Sequence, residues 1–172
     1  MPALPPEQWP SAGSTQDLIS AWTDLENRLS RLLRAPREAD DFVHDLLFIE
    51  QHMVALLETD ADGSLYLMLQ LAASSNVGYS ASHALLSAGL CALVSPSTGL
   101  SPEEQGSMFR AALTMNIGMT ALQDELAEQR ERPTAAQQEA IKSHPEESML
   151  LLERLFISDA LWLDVVGQHH AS

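Results

Sequence analysis

The sequence predicts an all-α protein, a helical bundle opened by an N-terminal α-hairpin. Three observations carry that expectation. Apolar residues recur at helical spacing through most of the chain, as in Leu18, Trp22, Leu25, Leu29 and Leu32. The apolar residues are mostly Leu, Ala and Met, which are good helix formers, and runs rich in Val, Ile and Thr are absent. Helix-start signals precede several of the periodic stretches.

Taken in order, residues 1–13 hold four prolines and one glycine, so a flexible tail is expected. Ser14 opens the first helix, with Asp17 near its positive end and Arg28, Arg31 and Arg34 towards its negative end. Pro36 stops it. A second helix over 39–58 carries Phe42, Val43, Leu46, Leu47, Ile49, Met53 and Leu56. These two form the expected hairpin, 14–58, whose apolar side needs covering by the rest of the chain or by a second subunit.

Asp60-Ala61-Asp62-Gly63 reads as a turn. Helices follow over 65–73 and 79–94, then a loop over 95–99. Ser101 with Glu104 is a capping-box pattern for a helix to about residue 116, and another segment covers 119–128. Arg132-Pro133 interrupts the pattern. Thr134 with Gln137 caps the next helix, and a last one over 159–170 carries Leu161, Trp162, Val165 and Val166. The third unit, 59–172, is expected to be a helical domain.

Composition narrows the function classes. The chain has 172 residues, 45% of them hydrophobic, enough for one sizeable core. Its net charge is -15 and Lys142 is its only lysine, so no basic stripe for nucleic acid is present, and an anionic membrane surface is equally disfavoured. Cys91 is the single cysteine and sits in an apolar stretch, which suits a reducing compartment. The first ten residues lack the basic and apolar regions of a signal peptide, and no apolar run reaches the ~18 residues of a membrane span. The expectation is a cytoplasmic protein. A phosphate-cradling glycine loop and a paired CxxC motif are missing as well.

Six histidines remain: His44, His52, His83, His144, His169 and His170. His44 and His52 read as ordinary surface or core residues. The other four sit in informative contexts. Tyr79-Ser80-Ala81-Ser82-His83-Ala84-Leu85-Leu86 resembles the first histidine helix of an HD-GYP domain. The stretch from Arg110 through Met115-Asn116-Ile117-Gly118-Met119 resembles the segment in which that family carries His-Asp-Ile-Gly-Lys. Ile141-Lys142-Ser143-His144-Pro145-Glu146 resembles its His-Pro helix, and Val165-Val166-Gly167-Gln168-His169-His170 its paired histidines. Order and intervals match over residues 75–170.

The resemblance implies an HD-domain-like bundle. Family members hydrolyse cyclic di-GMP, a bacterial second messenger, with two or three iron or manganese ions that activate a bridging water. Here the central His-Asp pair is Met115-Asn116, which supplies neither imidazole nor bridging carboxylate. The family's lysine is replaced by Met119, and the Gly-Tyr-Pro loop has no counterpart. The chain is therefore expected to be an apparently truncated, catalytically degenerate module, with no catalytic residue of its own. Met115 and Met119, read as one turn apart on a helix, suggest that apolar packing has replaced the ions.

The implied vestigial metal ligands are His83, His144, His169 and His170, with Asn116 as a weak further donor. No resident cofactor is expected, though iron, manganese or adventitious zinc or nickel fits such a site. Arg110, Arg130 and Arg132, with Arg154, are candidates to grip the phosphates of a cyclic dinucleotide. The expected role is in second-messenger signalling through a protein partner, a homodimer contact or a bound ligand. The competing expectation is an active metal-dependent phosphodiesterase.

Overall fold

The computed structural model describes residues 14–39, 41–74 and 77–171. The tail expected over 1–13 lies outside the described residues. Those residues form eight α-helices and two short 3₁₀ turns, and no strand occurs among them.

Helix α1 (Thr15–Arg34) starts where Ser14 Oγ accepts the Asp17 N–H. One side of it buries Leu18, Trp22, Leu25, Leu29 and Leu32. Helix α2 (Phe42–Thr59) is capped by Asp41, whose carboxylate accepts the His44 N–H. It packs on α1 and buries Leu46, Ile49, Met53 and Leu56. These two helices are the N-terminal hairpin.

The turn expected at 60–63 is tighter in the structure. Asp60 alone separates α2 from α3 (Ala61–Ser74). Its carboxylate accepts the Gly63 N–H at 2.9 Å and so serves as the cap of the new helix. Helix α3 therefore begins four residues earlier than its apolar pattern suggests.

Helix α4 (Tyr79–Val94) has Gly78 at its N-cap, which carries no capping side chain. Asp124, from helix α6 (Thr120–Glu128), supplies the cap: it accepts the Ser80 N–H at 2.8 Å and the Arg34 guanidinium at 2.7 Å. Arg34 also donates to the Val77 carbonyl. Gly78 is required here by its backbone: its φ is +132°, a conformation that side chains strain to adopt.

A 3₁₀ turn (Ser95–Ser97) leads to α5 (Pro102–Thr114), whose Ser101/Glu104 capping box is present. Helix α5 stops at Thr114, and a second 3₁₀ turn (Ile117–Met119) follows. Met115 and Met119 are thus not one turn apart on a single helix. The reason is packing against α7 (Ala135–Arg154). Gly118 N–H donates to Ser148 Oγ at 3.0 Å, and a Cβ on Gly118 would lie 2.9 Å from the Ser148 nitrogen. That close approach bends the chain.

Helix α7 opens with the Thr134/Gln137 capping box and carries Pro145 inside it. It ends in a Schellman motif, with Ile157 N–H on the Leu152 carbonyl and Phe156 N–H on the Glu153 carbonyl. Phe156 holds the left-handed position at φ +64°, where glycine is the usual residue, and its side chain is 92% exposed. Phe156→Gly should therefore raise stability by about 1 kcal/mol, relieving backbone strain at almost no cost in burial. A lowered melting temperature would show that the exposed ring contributes a contact. Helix α8 (Ala160–Gln168) is capped by Asp159.

All but one of the helices contribute to a single buried cluster, in which Trp22, Leu25, Leu29, Leu46, Ile49, Met53, Met68, Leu85, Leu113 and Leu152 are the largest fully enclosed apolar side chains. The apolar side of the hairpin is covered from within the chain by α3 and α4. No helix is long and apolar enough to cross a membrane among the described residues.

Candidate metal centre

Helices α7 and α8 pack on one another and bring three of the four singled-out histidines together. His144, His169 and His170 each offer a ring nitrogen, and these atoms all lie within 4.8 Å of one another. His144 is 2% exposed; His169 is half-buried and His170 exposed, so the group opens to solvent on one side.

Local backbone chemistry aims the first two rings. Pro145 has no N–H, so it leaves the Ile141 carbonyl, four residues back, without its helical donor. His144 Nδ1 takes that carbonyl at 2.6 Å. His169 Nδ1 meets the Val166 carbonyl at 2.8 Å, one of the last carbonyls of α8, where intrahelical donors run out. A carbonyl only accepts, so each Nδ1 must carry the proton. Each neutral ring then presents an unprotonated Nε2.

These two Nε2 atoms face each other at 3.0 Å. Two lone pairs repel at that distance. The contact is favourable only with a positive species between them, either an added proton or a metal ion. The separation is less than twice the roughly 2.0–2.1 Å of a zinc–nitrogen bond, so one ion can reach both. The third ring packs close by, its centroid 4.3 Å from that of His169 and 5.2 Å from that of His144.

The added proton is disfavoured. Burial lowers the pKa of His144 and the charge of His170 lowers it further, against the opposing pull of its Ile141 bond and of the Glu147 carboxylate. Burial also lowers His169, assisted by the charges of His170, His144 and His83. The donor set therefore suits a metal of the zinc, nickel or cobalt type, which accepts neutral imidazole. Among the described residues no carboxylate joins the group. The nearby Glu147 instead accepts the Ser143 hydroxyl at 2.5 Å.

These shifts fix a pH dependence for the chelator-treated protein. A histidine with a lowered folded-state pKa binds its proton more readily when unfolded. Its contribution to stability is present above the unfolded value of about 6.5 and is lost as pH falls through the folded one. Glu50 works the other way, because burial raises its carboxyl despite Arg110. The urea midpoint should drop between pH 7.5 and 5.5, and the drop should shrink in His169→Gln. An equal drop in both chains would rule out the cluster as its source.

The remaining singled-out residues lie elsewhere. His83, on α4, stacks on Tyr79 with centroids 5.4 Å apart, and its Nδ1 is 3.4 Å from the Tyr79 hydroxyl. It falls outside the three-histidine group. Asn116 lines a void of about 10 Å³ with Ser80, Met115 and Gln123. Arg130, Arg132 and Arg154 are exposed.

Arg110 is engaged within the fold. It pairs with Glu50 at 3.2 Å and with Asp159 at 3.4 Å, and lies over the Trp162 ring. Asp159 also accepts the Ser107 hydroxyl at 2.6 Å and the Trp162 N–H. Burial alone would raise the Asp159 carboxyl, but the bonds from Ser107, Trp162 and Arg110 hold it below the usual range. This lock fastens α8 to α5 at the end away from the histidines. The sequence signalled the cap through Asp159 itself; the Ser107 and Arg110 contacts span 52 and 49 residues and left no local trace.

No protein-family model, curated protein or solved structure matches this chain.

Proposed function

We propose that the chain is a catalytically degenerate HD-GYP-like module that acts in second-messenger signalling by binding a protein or a ligand, and that its histidine cluster holds one transition-metal ion. The observation that carries this reading is the three-imidazole group, which no carboxylate joins among the described residues. A hydrolytic centre of the HD-GYP kind needs a bridging carboxylate to hold hard iron or manganese ions close together and to activate the water between them. Met115 and Asn116 stand where that pair would be, and Met115 packs against the apolar core. Neutral imidazoles alone favour a single zinc or nickel ion.

The test is elemental analysis of protein purified without a metal-affinity resin, paired with cyclic di-GMP hydrolysis in added Mn²⁺ and Fe²⁺. The expected result is no turnover and, on titration, one Zn²⁺ or Ni²⁺ per chain. Two iron or manganese ions per chain with turnover would establish the competing phosphodiesterase reading.

A further inference from the structure

Helix α6 approaches the first turn of α4 with two neighbouring polar side chains. Asp124 takes the Ser80 N–H at 2.8 Å. Gln123, one residue earlier, is different. Its Oε1 is shielded from solvent and accepts no hydrogen bond among the described residues. The Ser80 hydroxyl is likewise without a partner there, on a residue only 3% exposed. Nearby hydroxyls are satisfied within their own turns. Ser82 donates to the Tyr79 carbonyl at 3.0 Å, and Thr120 to the Ile117 carbonyl at 3.2 Å. A buried polar atom left without a partner destabilises the fold, so a ligand that satisfies both atoms is favoured.

Ser80 and Gln123 line one void of about 10 Å³. Measured with a water-sized sphere, about 10–15 Å³ and two to four polar partners are what one buried water needs. No larger molecule fits. Leu33, Leu113 and Ile117 supply apolar wall, and an entirely apolar void would stay dry. The two unpartnered oxygens make this one polar.

We propose that this void is the binding site of a single internal water molecule, which bridges Ser80 Oγ on α4 to Gln123 Oε1 on α6. The proton count closes. An amide oxygen only accepts, so the water donates to Gln123. The Ser80 hydroxyl either donates to the water oxygen or accepts its second proton. Asn116 lines the same void and can supply a third partner. The water thus joins α4, α6 and the turn that follows α5. A divalent cation is disfavoured, because calcium and magnesium take about six or more oxygen ligands, carboxylates among them. No carboxylate lines the void among the described residues.

The test is oxygen-17 magnetic relaxation dispersion of the full chain, which counts waters held inside a protein, together with a double-mutant cycle of Ser80→Ala and Gln123→Met. The doubly substituted chain should hold about one long-lived water fewer than the unaltered chain. Each single substitution should lower the melting temperature by about 2–4 °C, because it strips a partner from the water and leaves the other group short. The double substitution should cost less than the sum of the two, since the second change removes a group already orphaned. If the two oxygens were stranded without a water, each apolar replacement would raise the melting temperature and the effects would add. That result overturns the proposal, and so does an unchanged water count. A melting temperature of the unaltered chain that falls when tetramethylammonium replaces sodium in the buffer also overturns it, assigning the void to a cation.

Discussion

Replacing Trp22 by alanine is expected to lower the unfolding free energy by about 4 kcal/mol, in one cooperative transition. Trp22 is fully buried on α1, and its indole N–H donates to Ser64 Oγ of α3 at 3.2 Å. Ser64 in turn donates to the Leu56 carbonyl of α2. One side chain thus ties three helices, and its removal leaves a large cavity and an unclaimed hydroxyl acceptor. Against a typical total of 5–15 kcal/mol, a loss of that size is a substantial fraction of stability. The measurement is urea unfolding followed by tryptophan fluorescence and by circular dichroism. Coincident curves with a much lower midpoint are expected. A loss under about 1 kcal/mol would mean that the indole does not tie the three helices; two separate transitions would mean that the hairpin 14–58 folds as its own unit.

His144→Ala should weaken zinc binding by about 100-fold or more, because it removes the buried ligand whose Nε2 faces His169. Pro145→Ala is the sharper companion. It restores an N–H for the Ile141 carbonyl, so His144 Nδ1 must share its acceptor and the ring's tautomer is held less firmly. Zinc affinity should fall about 10-fold while helix α7 gains about 1–3 kcal/mol. Opposite signs in stability and affinity are hard to produce by general damage. Calorimetric zinc titration with thermal melts of both chains reads the outcome. Unchanged affinity in His144→Ala would remove the metal reading altogether. Unchanged affinity in Pro145→Ala alone would remove only the role given to the proline.

Features whose partners lie within about five residues were legible in the sequence. The Ser101/Glu104 and Thr134/Gln137 boxes form as their spacing predicts, since each closes through its own first turn. Helix α4 runs over 79–94 as expected. The all-α class followed from helical periodicity, because the same apolar spacing that makes a stripe also buries it. The proline that strands the Ile141 carbonyl could have been read in the same way, from the i−4 rule alone.

What only the tertiary structure decided depends on helices crossing. The sequence put four histidines in view; packing of α7 on α8 joined His144 to His169 across 25 residues and left His83 against Tyr79 on α4. Periodicity carried α5 past Met115, but the approach of Gly118 to Ser148 ended it at Thr114. The family resemblance offered Arg110 as a grip for a dinucleotide phosphate; Glu50 and Asp159, 60 and 49 residues away, pair with it instead. Short-range hydrogen bonds are set by spacing along one helix, so residue types announce them. Contacts between helices depend on which side chains the shared core turns towards each other, and that is settled only when the whole chain has packed.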